Sequence, residues 1–446
     1  MLFRYNLELL MKNKKLVISL LLLIVIATIG GFFLYKKGYV SSWQKKILGK
    51  TTKAEPKDAY YEFLAEIFDK IKGNYWNKID DEKLANIYRL AAERVTVRPQ
   101  QVNPANKEGL KNMWKSLSAT ASGELKKEYA VGIANLVLAN LEPFGRSGLY
   151  TQKDEQNLKN EVQNVNPQKD LYKDLGVPKE ADANAINEAY EKQVADLSKQ
   201  ASVAAKQKLQ EISYAHKVLT DQVNKQIYDK TGGEPTVFDE IINPNVAYLK
   251  IKQMSPATLQ EFVSQSDGIK DSEQLNSLIL DLRGNIGGSI DILPYFLGPF
   301  IGPGRYAYEF FHQGDLDPHK TLTTWLPSLI KYKKVVILID GGTQSTAEVM
   351  AATLKKYNVG ILVGTKSRGW GTVEKVFSLD NQISPNEKYS MFLVHSLTIR
   401  DDGNAIEGAG VEPVINVTTP NWENELNKYF NYPPLLNAVK DTLKKI

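Results

Sequence analysis

The sequence contains no cysteine among its 446 residues. Disulfide bonds, thiol catalysis and cysteine-ligated metals are therefore excluded, but the cellular compartment is left open, because many proteins outside the cytoplasm also lack cysteine. Histidine is scarce too, and none of the four residues belongs to an HExxH-like pair: His216, His312, His319 and His395. We therefore expect neither a metal site nor a cofactor.

A strong excess of one charge is also missing. The chain has 56 Lys and Arg residues against 51 Asp and Glu residues, a net charge of +5, and the two signs are interspersed. Without a concentrated basic patch or a nucleic-acid-binding motif, no nucleic-acid partner is expected. Hydrophobic residues (43%) and charged residues (24%) stand in the proportions of a globular protein. The length suggests about two to four domains.

One long apolar run lies near the N-terminus, "LVISLLLLIVIATIGGFFLY", from Leu16 to Tyr35. A helix of about 20 uncharged apolar residues is long enough to cross a hydrocarbon core of ~30 Å. A cleaved signal peptide is the alternative, but the run exceeds the usual apolar region and no clear small-x-small cleavage site follows it. We predict a single transmembrane helix at 16–35, between a tail at 1–15 and a linker at 36–55. The flanking Lys and Arg residues nearly balance, so charge does not decide the orientation.

Helical patterns dominate residues 56–167. Apolar side chains recur there at spacings of three and four: Tyr61, Leu64, Ile67, Phe68 and Ile71. A second helix is predicted in "DDEKLANIYRLAAERV", with Asp80 as its N-cap, and a third in "KEYAVGIANLVLANLEPF". A polar stretch, "TQKDEQNLKNEVQNVNPQKD", ends this region.

Residues 168–233 form a separate helical pattern. The segments "LYKDLGV", "AINEAY", "AHKVLTD" and "YDKTGG" follow one another at the spacing found in a J-domain, which this stretch resembles. A coincidental helical hairpin is the alternative. A J-domain acts through a His-Pro-Asp tripeptide between its two long helices, and this chain has Ser198-Lys199-Gln200 at that position. The resemblance therefore implies a structural or docking module, and an Hsp70-type partner is not expected.

From residue 234 to 446, short β-branched runs alternate with helical segments, which indicates an α/β sheet flanked by helices. Five ordered segments here resemble the C-terminal-processing, or tail-specific, serine peptidases: "VAYLKIKQMSPATLQEF", "LILDLRGNIGGSID", "VVILIDGGTQSTAEVMAATLKKY", "ILVGTKSRGWGTVEKV" and "IEGAGVEPVI". The family usually carries a PDZ domain where this chain has the J-like module. The resemblance implies a ClpP/crotonase-like α/β peptidase core. Together with the patterns above, the predicted architecture adds an N-terminal helical region, an inserted small all-α J-like module and one transmembrane helix.

The family alignment puts the nucleophile at Ser345. This serine stands where a strand gives way to a helix, so backbone N–H groups there point at an anion. An N-cap role for Ser345 is compatible with this. The oxyanion donors are expected to be the N–H of Thr346 and one from the Gly287-Gly288 turn.

The chain differs from the family at the position of the general base. In the family a desolvated lysine stands in the middle of Gly-Lys-Gly, and this chain has Trp370 there, whose indole cannot accept a proton. The family's supporting polar residue, usually Gln, is Glu374 here. Glu374 is on the same face as Trp370 and could itself act as a base. Two further candidates are Lys366, four residues upstream on what we take as the same strand and so ~13 Å away, and His395, which on a strand is more often structural.

Two functions remain open. One is a membrane-anchored serine-peptidase-like protein that binds extended polypeptide, above all C-termini, with weak, rearranged or lost proteolysis. The other is a catalytically inactive, membrane-tethered peptide-binding scaffold or adaptor. In both, the resemblance implies a cell-membrane protein whose large domain lies outside the cytoplasm.

Overall fold

The computed structural model describes residues 58–200, 202–269 and 274–444. The predicted tail, the anchor Leu16–Tyr35 and the linker up to residue 55 lie outside these residues. No helix within the described ranges is both long and apolar enough to cross a membrane.

Four helices open the described chain: α1 (Ala59–Asn74), α2 (Asp81–Thr96), α3 (Lys107–Ser118) and α4 (Gly123–Ala139). The Asp80 side chain caps α2, as predicted, by accepting from the Lys83 N–H at 2.6 Å. Helix α3 was not predicted, because Gly109 weakens its helical signal. A Cβ on Gly109 would lie 1.8 Å from the Pro104 carbonyl oxygen, so the glycine allows a close approach of the chain.

The J-like module consists of α6 (Leu171–Asp174), α7 (Ala183–Leu197), α8 (Val203–Thr220) and α9 (Gln222–Thr231). The predicted contact between its long helices is present, since Ile186, Ile212 and Ala215 are buried in one apolar cluster. Residues 198–200 lie in the connection between α7 and α8.

The chain enters and leaves the J-like module at one place. Val165 and Gly233 form an antiparallel bridge, and the Glu234 N–H donates to the Asn164 carbonyl at 2.9 Å. The incoming connection is the direct continuation of α5 (Gln152–Val162).

The larger sheet has six strands in the order β11-β8-β7-β4-β3-β2. They are β2 (Val237–Asn243), β3 (Val246–Ile251), β4 (Ser277–Asp281), β7 (Lys334–Ile339), β8 (Ile361–Gly364) and β11 (Ile415–Asn416). All neighbours are parallel except the edge pair β2–β3. Every residue of β4 is buried, as expected for a central parallel strand covered on both faces.

Helices cover this sheet. They are α10 (Thr258–Gly268), α11 (Leu293–Ile301), α12 (Pro327–Ile330), α13 (Thr346–Lys356), α14 (Trp422–Phe430) and α15 (Pro433–Lys444). The closing helix α15 buries Leu435, Ala438 and Val439 against the sheet. The predicted α/β class is therefore observed.

A second, antiparallel sheet has the strand order β1-β10-β5-β6, with β9 also paired to β10. Its strands are β1 (Gly148–Thr151), β5 (Tyr306–His312), β6 (Asp315–Lys320), β9 (Thr372–Ser378) and β10 (Tyr389–Ile399). We expected the β10 segment in a single α/β sheet, and that was wrong. The burial of Met391 and Leu393 against Phe63 and Leu64 of α1 explains the arrangement, because β10 packs on the N-terminal helices.

Candidate active site

A cleft of about 470 Å³ opens between the two sheets and α5. It brings together Ser345, Thr346, Gly287, Gly288, Trp370 and Glu374, which are six of the eight residues predicted for the site. The rest of its lining is formed by Tyr150, Leu158, Glu161, Val162, Gln253, Ile286, Ser289, Ile290, Asp291, Gln344, Thr372, Val373, Phe392 and Thr398.

Ser345 occupies a sharp turn between β7 and α13. The Asp340 carboxylate organises this turn, because it accepts from the Gly284 and Gly342 N–H groups, both at 2.9 Å. The backbone of Ser345 has φ +55° and ψ −128°, a conformation that residues with a side chain rarely adopt. Such strain is concentrated at functional positions, and here it projects Ser345 into the cleft at the first turn of a helix.

The Gly287-Gly288 turn lies against Ser345. A Cβ on Gly287 would lie 2.7 Å from the Ser345 Cβ and 3.0 Å from the Thr346 nitrogen. The Thr346 hydroxyl donates to the Gly288 carbonyl at 2.9 Å, which holds the turn in place. The Gly287 N–H is bonded to Asn285 Oδ1 at 2.9 Å. The turn therefore offers the Gly288 N–H, beside that of Thr346, as an oxyanion donor.

We predict that Gly287→Ala disables this site. The methyl group would fill the space between Ser345 and Thr346, and φ +85° disfavours any side chain there. Where the native chain is labelled by a fluorophosphonate probe, labelling of Ser345 should fall at least tenfold. Gly284→Ala is the matched control, because Gly284 also has positive φ (+67°) but has no atom within 4 Å of its Cβ position. Equal labelling of the two variants would contradict the predicted crowding.

Glu348 connects the nucleophile turn to the segment that carries Trp370. Its fully buried carboxylate accepts four hydrogen bonds. Oε1 receives the Ser367 hydroxyl at 2.5 Å and the Gly369 N–H at 2.7 Å. Oε2 receives the Ser345 N–H at 2.9 Å and the Trp370 N–H at 2.7 Å. The backbones of Ser345 and Trp370 therefore share a single oxygen atom.

Trp370 lies in the connection between β8 and β9, at residues 365–371, and not on a strand as we assumed. The strand spacing that we used for Lys366 is therefore wrong. A Cβ on Gly371 would lie 2.2 Å from the Glu407 nitrogen, so the glycine allows this segment to pack closely on its neighbour. The Trp370 indole contacts two charged residues. The Arg146 guanidinium lies 3.4 Å from the ring centroid, and the indole Nε1–H donates to Glu374 Oε1 at 3.4 Å.

Arg146 is itself fixed by a second carboxylate. Its Nη2 donates to Glu407 Oε1 at 3.2 Å, and the Gly371 N–H donates to Glu407 Oε2 at 2.7 Å. Arg146 is therefore charge-paired, and the backbone on both sides of Trp370 is held by a buried or partly buried glutamate.

Glu374 lies at the start of β9 and lines the cleft together with Ser345. Burial raises the pKa of its carboxyl above the ordinary value of 4.5. Hydrogen bonds from Thr372, at 2.5 Å, and from Trp370 oppose this rise, as does the charge of Arg146. Glu374 is thus a desolvated acid that holds its proton to a higher pH than an exposed glutamate.

This raised pKa predicts a pH-dependent stability. The folded state keeps a proton that the unfolded chain releases, so stability falls as the pH rises from the ordinary value of 4.5 toward the raised folded pKa. We expect Glu374→Gln to raise the urea unfolding midpoint at pH 7 and to lose that advantage below pH 4.5. Glu161→Gln, which removes a carboxylate from the exposed wall of the same cleft, controls for the loss of one charge. A difference in urea unfolding midpoint between Glu374→Gln and the native chain that stays constant with pH would refute the prediction.

The two alternative bases lie outside the cleft. His395 stacks on His312 with ring centroids 4.2 Å apart, and its Nε2 is 3.4 Å from Lys375 Nζ. Burial, followed by the charge of Lys375, lowers its pKa to about 4. Lys366 forms an ion pair with Glu412 at 2.9 Å. Neither residue lines the cleft with Ser345.

Sequence reasoning missed Glu348, Arg146 and Glu407. A signal for Glu348 was present, because Ser345 and a glutamate three residues later form the S-x-x-E pattern of a helix start. Arg146 and Glu407 are 261 residues apart in the chain, and no local pattern connects them.

Two family models match the chain. That of peptidase family S41 covers residues 245–417, and that of the DnaJ domain covers residues 170–229. The chain is 24% identical over 388 residues to the carboxy-terminal processing protease CtpA of Bacillus subtilis. The aligned region covers 84% of this chain and 72% of CtpA. It is 28% identical over 193 residues to a probable CtpA-like serine protease of Staphylococcus epidermidis, covering 42% of this chain and 38% of that one.

Solved structures are similar at lower identity. The photosystem II D1 C-terminal processing protease superposes with a TM-score of 0.33 and 18% identity over 41% of this chain and 48% of its own. A lipoprotein from Streptococcus agalactiae superposes with a TM-score of 0.45 and 12% identity, over 85% of this chain and 99% of the lipoprotein.

Proposed function

We propose that this protein binds extended polypeptide in the cleft beside Ser345 and that its proteolysis is weak, rearranged or lost, because residues 245–417 match the model of peptidase family S41. The serine, the strained turn and the two oxyanion amides support the first part of the proposal. Trp370, at the position where the family resemblance implies a lysine base, supports the second part.

The bond pattern of Glu348 carries this proposal. One oxygen of its carboxylate accepts from both Ser345 and Trp370, so residue 370 is positioned beside the nucleophile. An amine at that position would be a base, whereas the indole donates its only proton to Glu374. The framework of a serine–lysine site is thus retained around a side chain that cannot accept a proton.

The edge of β9 supports binding of an extended chain. Among the described strands, β9 pairs with β10 on one side, and its residues Thr372, Val373 and Glu374 line the cleft. A polypeptide added along this edge would pair with free backbone groups and pass beside Ser345. The C-terminus of a polypeptide is the segment that the family resemblance favours.

Where proteolysis survives, we propose Glu374 as the rearranged base. The Ser345 oxygen would bond to the peptide carbonyl carbon while its proton passes to the Glu374 carboxylate and the carbonyl becomes an oxyanion. As the carbonyl re-forms, the C–N bond would break and the same proton would pass to the leaving amine. Water, deprotonated by Glu374, would then hydrolyse the acyl-serine and return the proton to Ser345. The Gly288 and Thr346 N–H groups would stabilise the oxyanion. Since burial raises the Glu374 pKa, this activity would appear only at a pH high enough to ionise it.

The experiment incubates the full chain with unfolded protein substrate and with a fluorophosphonate probe, beside Ser345→Ala. Cleavage and labelling that disappear in Ser345→Ala would establish a peptidase, and Glu374→Gln would then test the base. Peptide binding without turnover would establish the scaffold. Absence of both binding and turnover would refute the proposal.

The second candidate is an inactive scaffold or adaptor tethered to the membrane through Leu16–Tyr35, with its large domain outside the cytoplasm. The J-like module favours it, because residues 198–200 replace the active tripeptide in the connection between α7 and α8. Two domains of one chain then lack their reactive residues. External protease treatment of intact cells tests the orientation, and digestion of the large domain is expected only after lysis if it faces the cytoplasm.

A further inference from the structure

The charged side chains of the cleft have one sign. Glu161, Asp291 and Glu374 line it, and its lining residues include no lysine, arginine or histidine. Arg146 is a nearby cation, but it is stacked on Trp370 and paired with Glu407. A ligand in the cleft therefore meets uncompensated negative charge.

Two of these carboxylates are available to a ligand. Glu161 and Asp291 are exposed, and neither side chain forms an ion pair or hydrogen bond within the described chain. Their backbones are nevertheless fixed beside the site. The Glu161 carbonyl accepts from the side chain of Gln253, another lining residue, and Asp291 follows Gly288 by three residues.

An aromatic surface lies beside these charges. Tyr150 stacks on Phe392 with centroids 4.7 Å apart, and both rings line the cleft. Burial raises the pKa of Tyr150, and the charges of Glu374, Asp154 and Glu161 raise it further, which reports a negative potential at the ring. Aromatic faces next to carboxylates suit the long apolar stem and cationic head of arginine or lysine.

We propose that the cleft selects extended peptide segments that carry an arginine or lysine side chain, in preference to segments that end in a free carboxylate. This inference rests on the proposed polypeptide-binding function. A terminal carboxylate would enter beside the exposed carboxylates of Glu161 and Asp291, with the Gly288 and Thr346 amides as its available donors, whereas a cationic side chain meets complementary charge.

Binding is measured by fluorescence anisotropy on the full chain carrying Ser345→Ala, which prevents turnover. The labelled peptides share one sequence, are acetylated and amidated, and differ at a central Arg, Gln or Glu; a fourth keeps a free C-terminus. The Arg peptide should bind roughly 3- to 10-fold more tightly than the Gln peptide, and the Glu peptide most weakly. The difference should shrink in 0.5 M salt, where the Debye length falls to roughly 4 Å.

The residue assignment is tested in the double variant Glu161→Gln, Asp291→Asn. Its Arg-to-Gln affinity ratio should approach one, while Glu425→Gln, an exposed glutamate on α14, should keep the ratio of the parent chain. Equal binding of the Arg, Gln and Glu peptides, or tighter binding of the free C-terminus, would overturn this inference and leave the proposed function intact. Failure of every peptide to bind would instead remove the proposed function.

Discussion

Trp370→Lys is expected to raise the rate of peptide cleavage by roughly 10²- to 10⁴-fold over the native chain, the range that a positioned general base contributes. Glu348 holds the backbone of residue 370 by its N–H, so the lysine inherits a fixed position next to Ser345. The cleft already provides the strained serine turn and the oxyanion amides. On the proposed function, the lysine adds a group that accepts the proton of Ser345.

The neighbours of the new lysine act on its pKa in opposite directions. The positive charge of Arg146 and burial favour the neutral amine, as a base requires, whereas the carboxylate of Glu374 favours the ammonium form. The double variant Trp370→Lys, Glu374→Gln should therefore be more active than the single one at pH 7. Cleavage of a quenched fluorescent peptide measures both variants.

The controls separate restored catalysis from altered binding. Trp370→Leu opens the same space without a base and should stay inactive, and Ser345→Ala added to Trp370→Lys should abolish the gain. Equal activity in Trp370→Leu and Trp370→Lys would show that relief of bulk, and not a base, was the missing factor.

Glu348→Ala is expected to lower the free energy of unfolding by about 3 kcal/mol or more. The substitution leaves four donors without this acceptor: the buried Gly369 N–H and Ser367 hydroxyl, and the partly buried Ser345 and Trp370 N–H groups. Loss of a partner costs about 1–3 kcal/mol for a buried group. The effect should be concentrated in the 365–371 segment, whose amide hydrogen exchange should accelerate. Urea unfolding and hydrogen exchange by mass spectrometry measure the two effects.

Glu348→Gln is the matched variant, because it keeps the shape and one acceptor oxygen while it turns the other into a donor. It should lie between the native chain and Glu348→Ala in stability. A loss below 1 kcal/mol in Glu348→Ala, with unchanged exchange at residues 365–371, would contradict the role assigned to this carboxylate.

Local patterns predicted what depends on local physics. The apolar spacing along α1, the Asp80 cap and the junction that places Ser345 at a helix start were all readable, because each involves residues within a few turns of one another.

The errors came from long-range packing. No nearby residue shows that β10 joins the antiparallel sheet, because its partners in α1 are more than 300 residues away in the chain. The extent of the strand around Trp370 was misjudged for a similar reason. Gly369 and Gly371 are held by contacts with residues 407–410, and these contacts draw the segment away from the extended conformation that its sequence suggested.

The antiparallel bridge between Val165 and Gly233 has a consequence for how the J-like module is attached to the core. Because both connections pass side by side, the J-like module is inserted without interrupting either sheet. One of these connections continues α5, which carries Leu158, Glu161 and Val162 along one wall of the cleft. A shift of the module relative to the core would therefore act through α5 on that wall and would change the width of the cleft.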